Sequence, residues 1–220
     1  EVEDTTTVFD TPGGTIVTRP VPGYPQEAYV PYGSDNQLPY DLVRLVASDE
    51  VTAQNKLFNV LTCYGAGLRL TDTTTHEPTT DPEVRAWLRR QNMPAYMLDQ
   101  MTDMKYFYFS VAVIILSRDG RRINRLVHKE ACHCRLEKAD RRGRINHLYY
   151  ANWQDWQEGI NGVERIELLS LTDPYGALCR RMAIDPDTHQ PTGRTPTRTR
   201  KFAVVMRFPT AGAQYYPVPY

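Results

Sequence analysis

The stretch Tyr106-Phe-Tyr-Phe-Ser-Val-Ala-Val-Ile-Ile-Leu116 decides the fold class. Apart from Ser110 it consists of aromatic, β-branched and aliphatic residues, which favour a long and well-buried strand. The Asp-Gly pair of Arg118-Asp-Gly-Arg121 follows and is typical of a β-hairpin turn. Residues 123–128 are therefore expected to return as a second, antiparallel strand, and the pair forms the centre of a sheet.

Helical patterns precede this sheet. A helix is expected to begin near Pro39, and a second, capped by Ser48 or Asp49, to end at Gly65. The second helix carries four aliphatic residues that we assign to its buried side: Val51, Leu57, Val60 and Leu61. Two further helices are expected to begin at Asp81-Pro82-Glu83 and at Pro94.

Strand patterns return after the hairpin. They cover residues 135–136, 145–150, 163–171 (a strand or a short helix) and 201–208, with an irregular Pro-, Thr- and Arg-rich loop over 185–200. Helices first and mainly antiparallel strands after them predict an α+β fold.

Composition narrows the function classes. The 220 residues are 41% hydrophobic and 24% charged, and 26 Lys and Arg balance 26 Asp and Glu. The longest apolar run, Val111 to Leu116, is too short to span a membrane. Zero net charge disfavours a protein that binds nucleic acid or a membrane surface by charge alone. Four cysteines in a chain that can build a full core are interpreted as reduced thiols.

The two ends differ from the rest. Residues 1–27 are rich in Thr, Pro and Gly and predict a flexible N-terminal arm, whereas residues 28–220 form the body. The chain ends on the apolar and aromatic segment Gln214-Tyr-Tyr-Pro-Val-Pro-Tyr220. Such a segment is expected to pack against something that follows it, so we expect a fragment of a longer protein.

Signatures of catalysis are missing from the sequence. It has no Gly-x-Ser-x-Gly elbow, no phosphate-binding loop and no dinucleotide fingerprint, so we expect a protein that is not an enzyme and uses no cofactor. Asp99 and Asp103 share a helix face, which we interpret as a solvated one. Zinc-type ligands are present as His128, Cys132, His133, Cys134 and, downstream, His147. Their spacing does not match a zinc knuckle, so we expect no metal site.

Positive charge is concentrated locally. Ten Arg or Lys and four Asp or Glu lie between Arg118 and Arg144, and five bases without an acid lie between Arg194 and Arg207. Bases on hairpins and loops grip phosphate without reading sequence. The expected phosphate contacts are Arg121, Arg122, Arg141, Arg142, Arg198 and Arg200. A solvated sheet face is the alternative.

Aromatic residues cluster in the second half of the chain. Tyr149, Tyr150, Trp153 and Trp156 are expected to line a subunit interface, where Tyr and Trp are enriched. Stacking on nucleic-acid bases is the alternative.

Several motifs together resemble the portal proteins of tailed phages, especially those of phages and prophages of Bacteroides-type bacteria. They are, in chain order, Tyr29-Val-Pro-Tyr-Gly-Ser-Asp-Asn-Gln-Leu-Pro39, Tyr64-Gly-Ala-Gly-Leu68, the residues His128 and Arg135, Tyr149-Tyr-Ala-Asn-Trp153, Phe208-Pro-Thr210 and Tyr215-Tyr-Pro-Val-Pro219. Their order is the stronger signal, and the similarity spans residues 28 to 220.

The resemblance implies a structural virion protein with an α+β body like the wing region of a portal subunit. Portal subunits form a ring, usually of twelve, at one capsid vertex, through which double-stranded DNA is packaged and ejected. The implied partners are further copies of the chain, capsid protein, terminase and tail adaptor proteins, first in the bacterial cytoplasm and then in the virion. Portals commonly have twice this length, which implies that this chain is an N-terminal half. The alternatives are a nucleic-acid-binding or nucleic-acid-modifying protein and another head or adaptor protein.

Overall fold

A six-stranded sheet forms the centre of the structure, and its strand order is β5-β4-β9-β8-β7-β6. The strands are β4 (Phe109–Leu116), β5 (Ile123–Lys129), β6 (Cys134–Leu136), β7 (His147–Tyr150), β8 (Glu164–Leu168) and β9 (Lys201–Arg207). A separate three-stranded sheet comprises β1 (Thr7–Thr11), β2 (Gly14–Val21) and β3 (Tyr24–Tyr29). The computed structural model describes residues 7–11, 14–72, 75–79, 81–154, 162–210 and 215–217.

Five α-helices accompany the sheets in the part of the chain that the structure describes. They are α1 (Leu38–Ser48), α2 (Glu50–Tyr64), α3 (Pro82–Arg90), α4 (Met93–Phe107) and α5 (Pro174–Met182). The predicted α+β class is confirmed, although strands rather than helices come first along the chain. Within the described ranges, no helix has both the length and the apolar character needed to cross a membrane.

Strand β4 is the centre of the core, as its composition predicted. It pairs antiparallel with β5 on one side and with β9 on the other. Phe109, Val111 and Val113 are at most 1% exposed and belong to the main core cluster. Ile114 and Leu116 point to the opposite face, where α5 covers them. Both faces of β4 are therefore buried, which explains its continuous apolar run.

The strand begins later than the sequence pattern indicated. Residues 106 and 107 belong to the end of α4, and Tyr108 adopts a left-handed backbone conformation with a φ of 59°. Its N–H donates to the carbonyl of Met104 at 3.2 Å and closes the helix. Aromatic residues fit both a helix end and a strand, so composition alone placed this boundary too early.

Helix α5 was not predicted, although its start carries a recognisable signal. Asp173 caps it by accepting the N–H of Gly176 at 2.8 Å, and Pro174 occupies the first turn. The Asp173 carboxylate approaches so closely that a Cβ on residue 176 would lie 2.3 Å from it, so a larger residue there would displace the capping side chain. The helix lies in the connection between β8 and β9, which pair in parallel.

The structure describes residues 7–11 and 14–27 of the expected flexible arm, and they lie largely in strands β1 to β3. Strand β2 pairs with β1 and with β3, both antiparallel. Val21 and Tyr29 are at most 2% exposed and pack in a cluster with Tyr149 and Trp153. Strand pairing and these two anchors supply the burial that the Thr- and Pro-rich composition did not suggest.

Candidate functional site

Three of the motifs that carry the resemblance to portal proteins, which include Asn36, Arg135 and Trp153, meet at one buried arginine. Arg135, on β6, is 0% exposed. Its guanidinium donates to the carbonyls of Asn36 (2.9 Å), Cys132 (2.8 Å) and Cys134 (2.8 Å), and its Nε–H donates to the side-chain oxygen of Asn36. The rings of Tyr40 and Trp153 lie beside it, with centroids 5.9 and 5.5 Å from Cζ. We call this group the arginine joint.

The positive charge of the Arg135 guanidinium is stabilised by hydrogen bonds to uncharged oxygen atoms, not by a carboxylate. Burial lowers the pKa of Arg135, but an arginine starts so high that it stays protonated at neutral pH. Three of its acceptors are main-chain carbonyls, which fix the backbone near residues 36 and 132–134 relative to each other. The arrangement resembles a structural crosslink, because each of the three guanidinium nitrogens donates at least one hydrogen bond within the chain.

Tyr216 extends the joint to the last described segment of the chain. Its hydroxyl donates to the carbonyl of Val30 at 2.7 Å and accepts the N–H of Leu136 at 2.8 Å. Its ring stacks on Tyr32 with centroids 4.4 Å apart. Two of the recognised motifs, separated in sequence by 186 residues, are thereby tied to β6.

The aromatic residues expected at a subunit interface lie largely inside the chain. Tyr149 and Trp153 are 0% exposed. The Tyr149 hydroxyl donates to Glu27 at 2.7 Å, and the Trp153 indole N–H donates to the carbonyl of His133 at 2.8 Å. In the folded chain these two side chains offer no surface to a second subunit. Tyr150 is half-buried, and Trp156 lies outside the described residues.

An exposed apolar face lies elsewhere, on α1 and α2. Five large side chains there are between 52% and 68% exposed: Leu45, Val51, Leu57, Phe58 and Leu61. We call them the apolar face. Val60, on the opposite side of α2, is 3% exposed, while α2 packs against α4. Of the four residues assigned to the buried side of α2, only Val60 is buried, so the assignment of Val51, Leu57 and Leu61 was wrong.

The basic residues separate into two places. The turn of the β4–β5 hairpin packs against the loop before β9: Arg200 donates to the carbonyl of Arg118 at 3.3 Å, and Gly120 lies against Pro196 and Arg200. Arg90, at the end of α3, shares a surface pocket with Arg122. Arg90 was not among the arginines expected from the sequence to contact phosphate. We call Arg90, Arg118, Arg121, Arg122, Arg198 and Arg200 the basic edge.

Arg141 and Arg142 lie apart from the basic edge. They are exposed on the turn between β6 and β7. Neighbouring Arg144 pairs with Asp140 at 3.3 Å. Of the six arginines expected to contact phosphate, four lie at the basic edge and two lie on this separate turn.

The His and Cys residues also point in different directions. His128 Nε2 lies 2.7 Å from Asp103 Oδ2, and both side chains are largely buried. Burial lowers the pKa of His128, but the hydrogen bond and the negative charge of Asp103 outweigh it, so the pKa lies above its usual value. Asp103 is therefore not on a solvated helix face. Cys134 is 1% exposed in the core, and His147 pairs with Glu137 at 3.0 Å.

Cys132 and His133 remain near each other and near Glu130. The three side chains offer one ligand atom each, and these atoms lie within 4.8 Å of one another. Burial, with the charges of Asp103 and Glu130, raises the pKa of the Cys132 thiol to about 12. As a free side chain, Cys132 is thus a neutral thiol at physiological pH.

Comparison of the chain with protein-family models and with curated protein sequences finds no match.

Proposed function

We propose that this chain is a structural subunit of a phage portal, or the N-terminal half of one, that works by assembling with copies of itself into a ring. The order of the recognised motifs supports this identity. The observation that carries the self-assembly is the apolar face on α1 and α2. Its five side chains stay in water in the single chain, and burying each of them fully would contribute about 1.5–3 kcal/mol.

The arginine joint supports a structural role as well. The recognised motifs supply side chains that hold backbone segments together, and their polar groups are used in doing so. Residues of this kind stabilise the folded shape of the chain, and a ring subunit functions through its shape. Neutral net charge agrees with packing among like subunits.

Sedimentation velocity and negative-stain microscopy of the purified chain test the proposal. We expect concentration-dependent association into closed rings. Phe58→Glu and Leu61→Glu place a charge in the apolar face and should shift the chain to monomers. Val84→Glu is the matched control, since Val84 is an exposed apolar residue on α3. A chain that stays monomeric at every concentration, or that associates equally well with glutamate at residue 58, would contradict the proposal.

The basic edge favours a second function, contact with the phosphates of double-stranded DNA. Three segments distant in sequence bring their arginines together there. Arg90 and Arg122 have no ion-pair partner among the described residues. Each phosphate that the protein neutralises adds about 0.9 to the slope of log affinity against log salt.

Fluorescence anisotropy with duplex DNA at several salt concentrations tests the second function. The double variant Arg90→Glu, Arg122→Glu should weaken binding at least tenfold and reduce the salt slope by about 2, one unit per lost phosphate contact. Arg141→Glu, Arg142→Glu removes the same charge from the other basic turn and is expected to have a smaller effect. Equal losses in both double variants would mean that overall charge, rather than the basic edge, drives binding.

A further inference from the structure

Glu130, Cys132 and His133 form a compact set of metal-type ligands around one turn of 3-10 helix, Ala131–His133. Their ligand atoms lie within 4.8 Å of one another. Two ligands of a tetrahedral zinc ion, at bond lengths of roughly 2.1 and 2.3 Å, lie about 3.6 Å apart. The set therefore has to contract by about 1 Å, which rotation of the Glu130 and Cys132 side chains can supply.

A hydrogen-bond chain holds the His133 ring in the required orientation. The Tyr40 hydroxyl accepts the main-chain N–H of Trp153 at 2.9 Å and contacts Nδ1 of His133 at 2.8 Å. Since Nδ1 is occupied, Nε2 is the nitrogen that faces Glu130, at 3.3 Å from Oε2. A hydrogen-bond partner on the far nitrogen is the usual support of a metal-bound imidazole.

The surrounding charges favour a cation at this point. Glu130 is a ligand, and the carboxylate of Asp103 lies behind Cys132, where it accepts the N–H of Ala131 at 2.8 Å. His128 is bonded to that carboxylate, and Arg135 faces the carbonyl of Cys132 from the backbone side. The hydrogen bonds of His128 and Arg135 therefore go to atoms other than the three ligand atoms.

From these contacts we propose that Glu130, Cys132 and His133 bind a zinc ion. A thiolate and an imidazole are ligands that Zn²⁺ accepts and that Mg²⁺ and Ca²⁺ do not prefer. On binding, the Cys132 thiol releases its proton to solvent and the thiolate becomes the ligand. Three protein ligands leave a fourth position for water or for a donor from a partner. The site does not depend on the proposed portal function.

The second cluster of similar composition is a weaker candidate. Glu27, Glu137 and His147 also lie within 4.8 Å of one another. However, Glu27 pairs with Arg165 at 2.8 Å and accepts the hydroxyl of Tyr149 at 2.7 Å. Its carboxylate is already neutralised, so a metal would have to displace an arginine.

Titration of the purified, reduced chain with Co²⁺ tests the site, because a cobalt–thiolate bond gives a charge-transfer band in the near ultraviolet. We expect this band at one equivalent, and its loss when one equivalent of Zn²⁺ is added. Zinc affinity is measured in parallel by competition with a chromogenic chelator. Cys132→Ser should abolish the band, and Glu130→Gln should weaken Zn²⁺ binding at least tenfold.

Cys63→Ser is the matched control, because Cys63 is exposed on α2, away from the three ligands. It should leave both the band and the zinc affinity unchanged. Glu130 is exposed, so its variant remains decisive if substitution of the half-buried Cys132 impairs folding. An absent band in the wild-type chain, or a band and affinity that survive both ligand substitutions, would overturn the proposal.

Discussion

The arginine joint and the apolar face reverse the usual distribution of residues. Arg135 is fully buried, whereas Phe58 is 68% exposed. The burial of Arg135 is explained within the chain, because its four donated hydrogen bonds end on oxygen atoms of the same chain. The exposure of Phe58 has no such explanation. The arginine joint therefore serves the fold of one chain, whereas the apolar face is the surface for which we propose contact with a second copy of the chain.

The largest effect is expected from breaking the joint. Arg135→Met keeps the volume but removes four hydrogen bonds: three main-chain carbonyls lose this donor, while Asn36 Oδ1 still accepts the N–H of Tyr32 at 3.1 Å. Since each unsatisfied buried polar group costs about 1–3 kcal/mol, we expect the three carbonyls to lower the free energy of unfolding by at least about 3 kcal/mol. Urea denaturation followed by circular dichroism measures it. Arg125→Met, at an exposed site on β5, is the control. A loss below about 1 kcal/mol would show that the joint is not a crosslink.

A smaller effect sharpens the contrast between the two sides of α2. Val60→Ala removes buried methyl groups and should cost about 2 kcal/mol. Phe58→Ser, on the apolar face, should change the stability of the monomer by less than about 0.5 kcal/mol. Both are measured by urea denaturation at a concentration where the chain is monomeric. A Phe58→Ser loss as large as that of Val60→Ala would mean that the apolar face is part of the core.

The smallest effect concerns Glu137, which follows the joint on the chain. Burial raises its pKa, but the hydrogen bond and the charge of His147, with hydrogen bonds from main-chain N–H groups, outweigh burial and hold the pKa below its usual value. An acid with a lowered folded pKa stabilises the fold above its unfolded pKa, and this contribution is lost as the pH falls through the folded value. The free energy of unfolding of the Glu137→Gln variant should therefore fall less steeply than that of the wild type as the pH drops below about 4.5.

Thermal unfolding of both chains between pH 3 and pH 7 measures the Glu137 effect. The difference between the two chains should be largest at pH 7 and close to zero at pH 3. A constant difference over this range would show that Glu137 contributes packing alone.

Local patterns were sufficient for the strands of the six-stranded sheet and for most helix starts. The composition of residues 109–116 and the Asp-Gly turn predicted β4 and its hairpin, because a continuous β-branched run with a turn signal has few other solutions. The three strands before residue 30 were missed, since Pro and Thr are poor markers of burial. Helix α5 was missed because its apolar face is short, although Asp173 and Pro174 marked its start.

The site was less predictable because it depends on tertiary contacts. Both sides of α2 carry aliphatic residues, and only its packing on α4 decides which side is buried. Arginine is ordinarily exposed, so nothing local marks Arg135 as a core residue. The ligand set of Glu130, Cys132 and His133 requires the 3-10 turn, which a count of sequence spacings does not reveal.

The bond between Tyr216 and Val30 has a consequence for how the protein is made. The two residues are 186 positions apart, so the carbonyl of Val30 cannot accept this hydrogen bond until Tyr216 has emerged from the ribosome. The same holds for β4, whose partner β9 is translated some 90 residues later. The nascent chain therefore completes its core only near the end of this segment, and contacts of such long range make folding slow compared with helix formation.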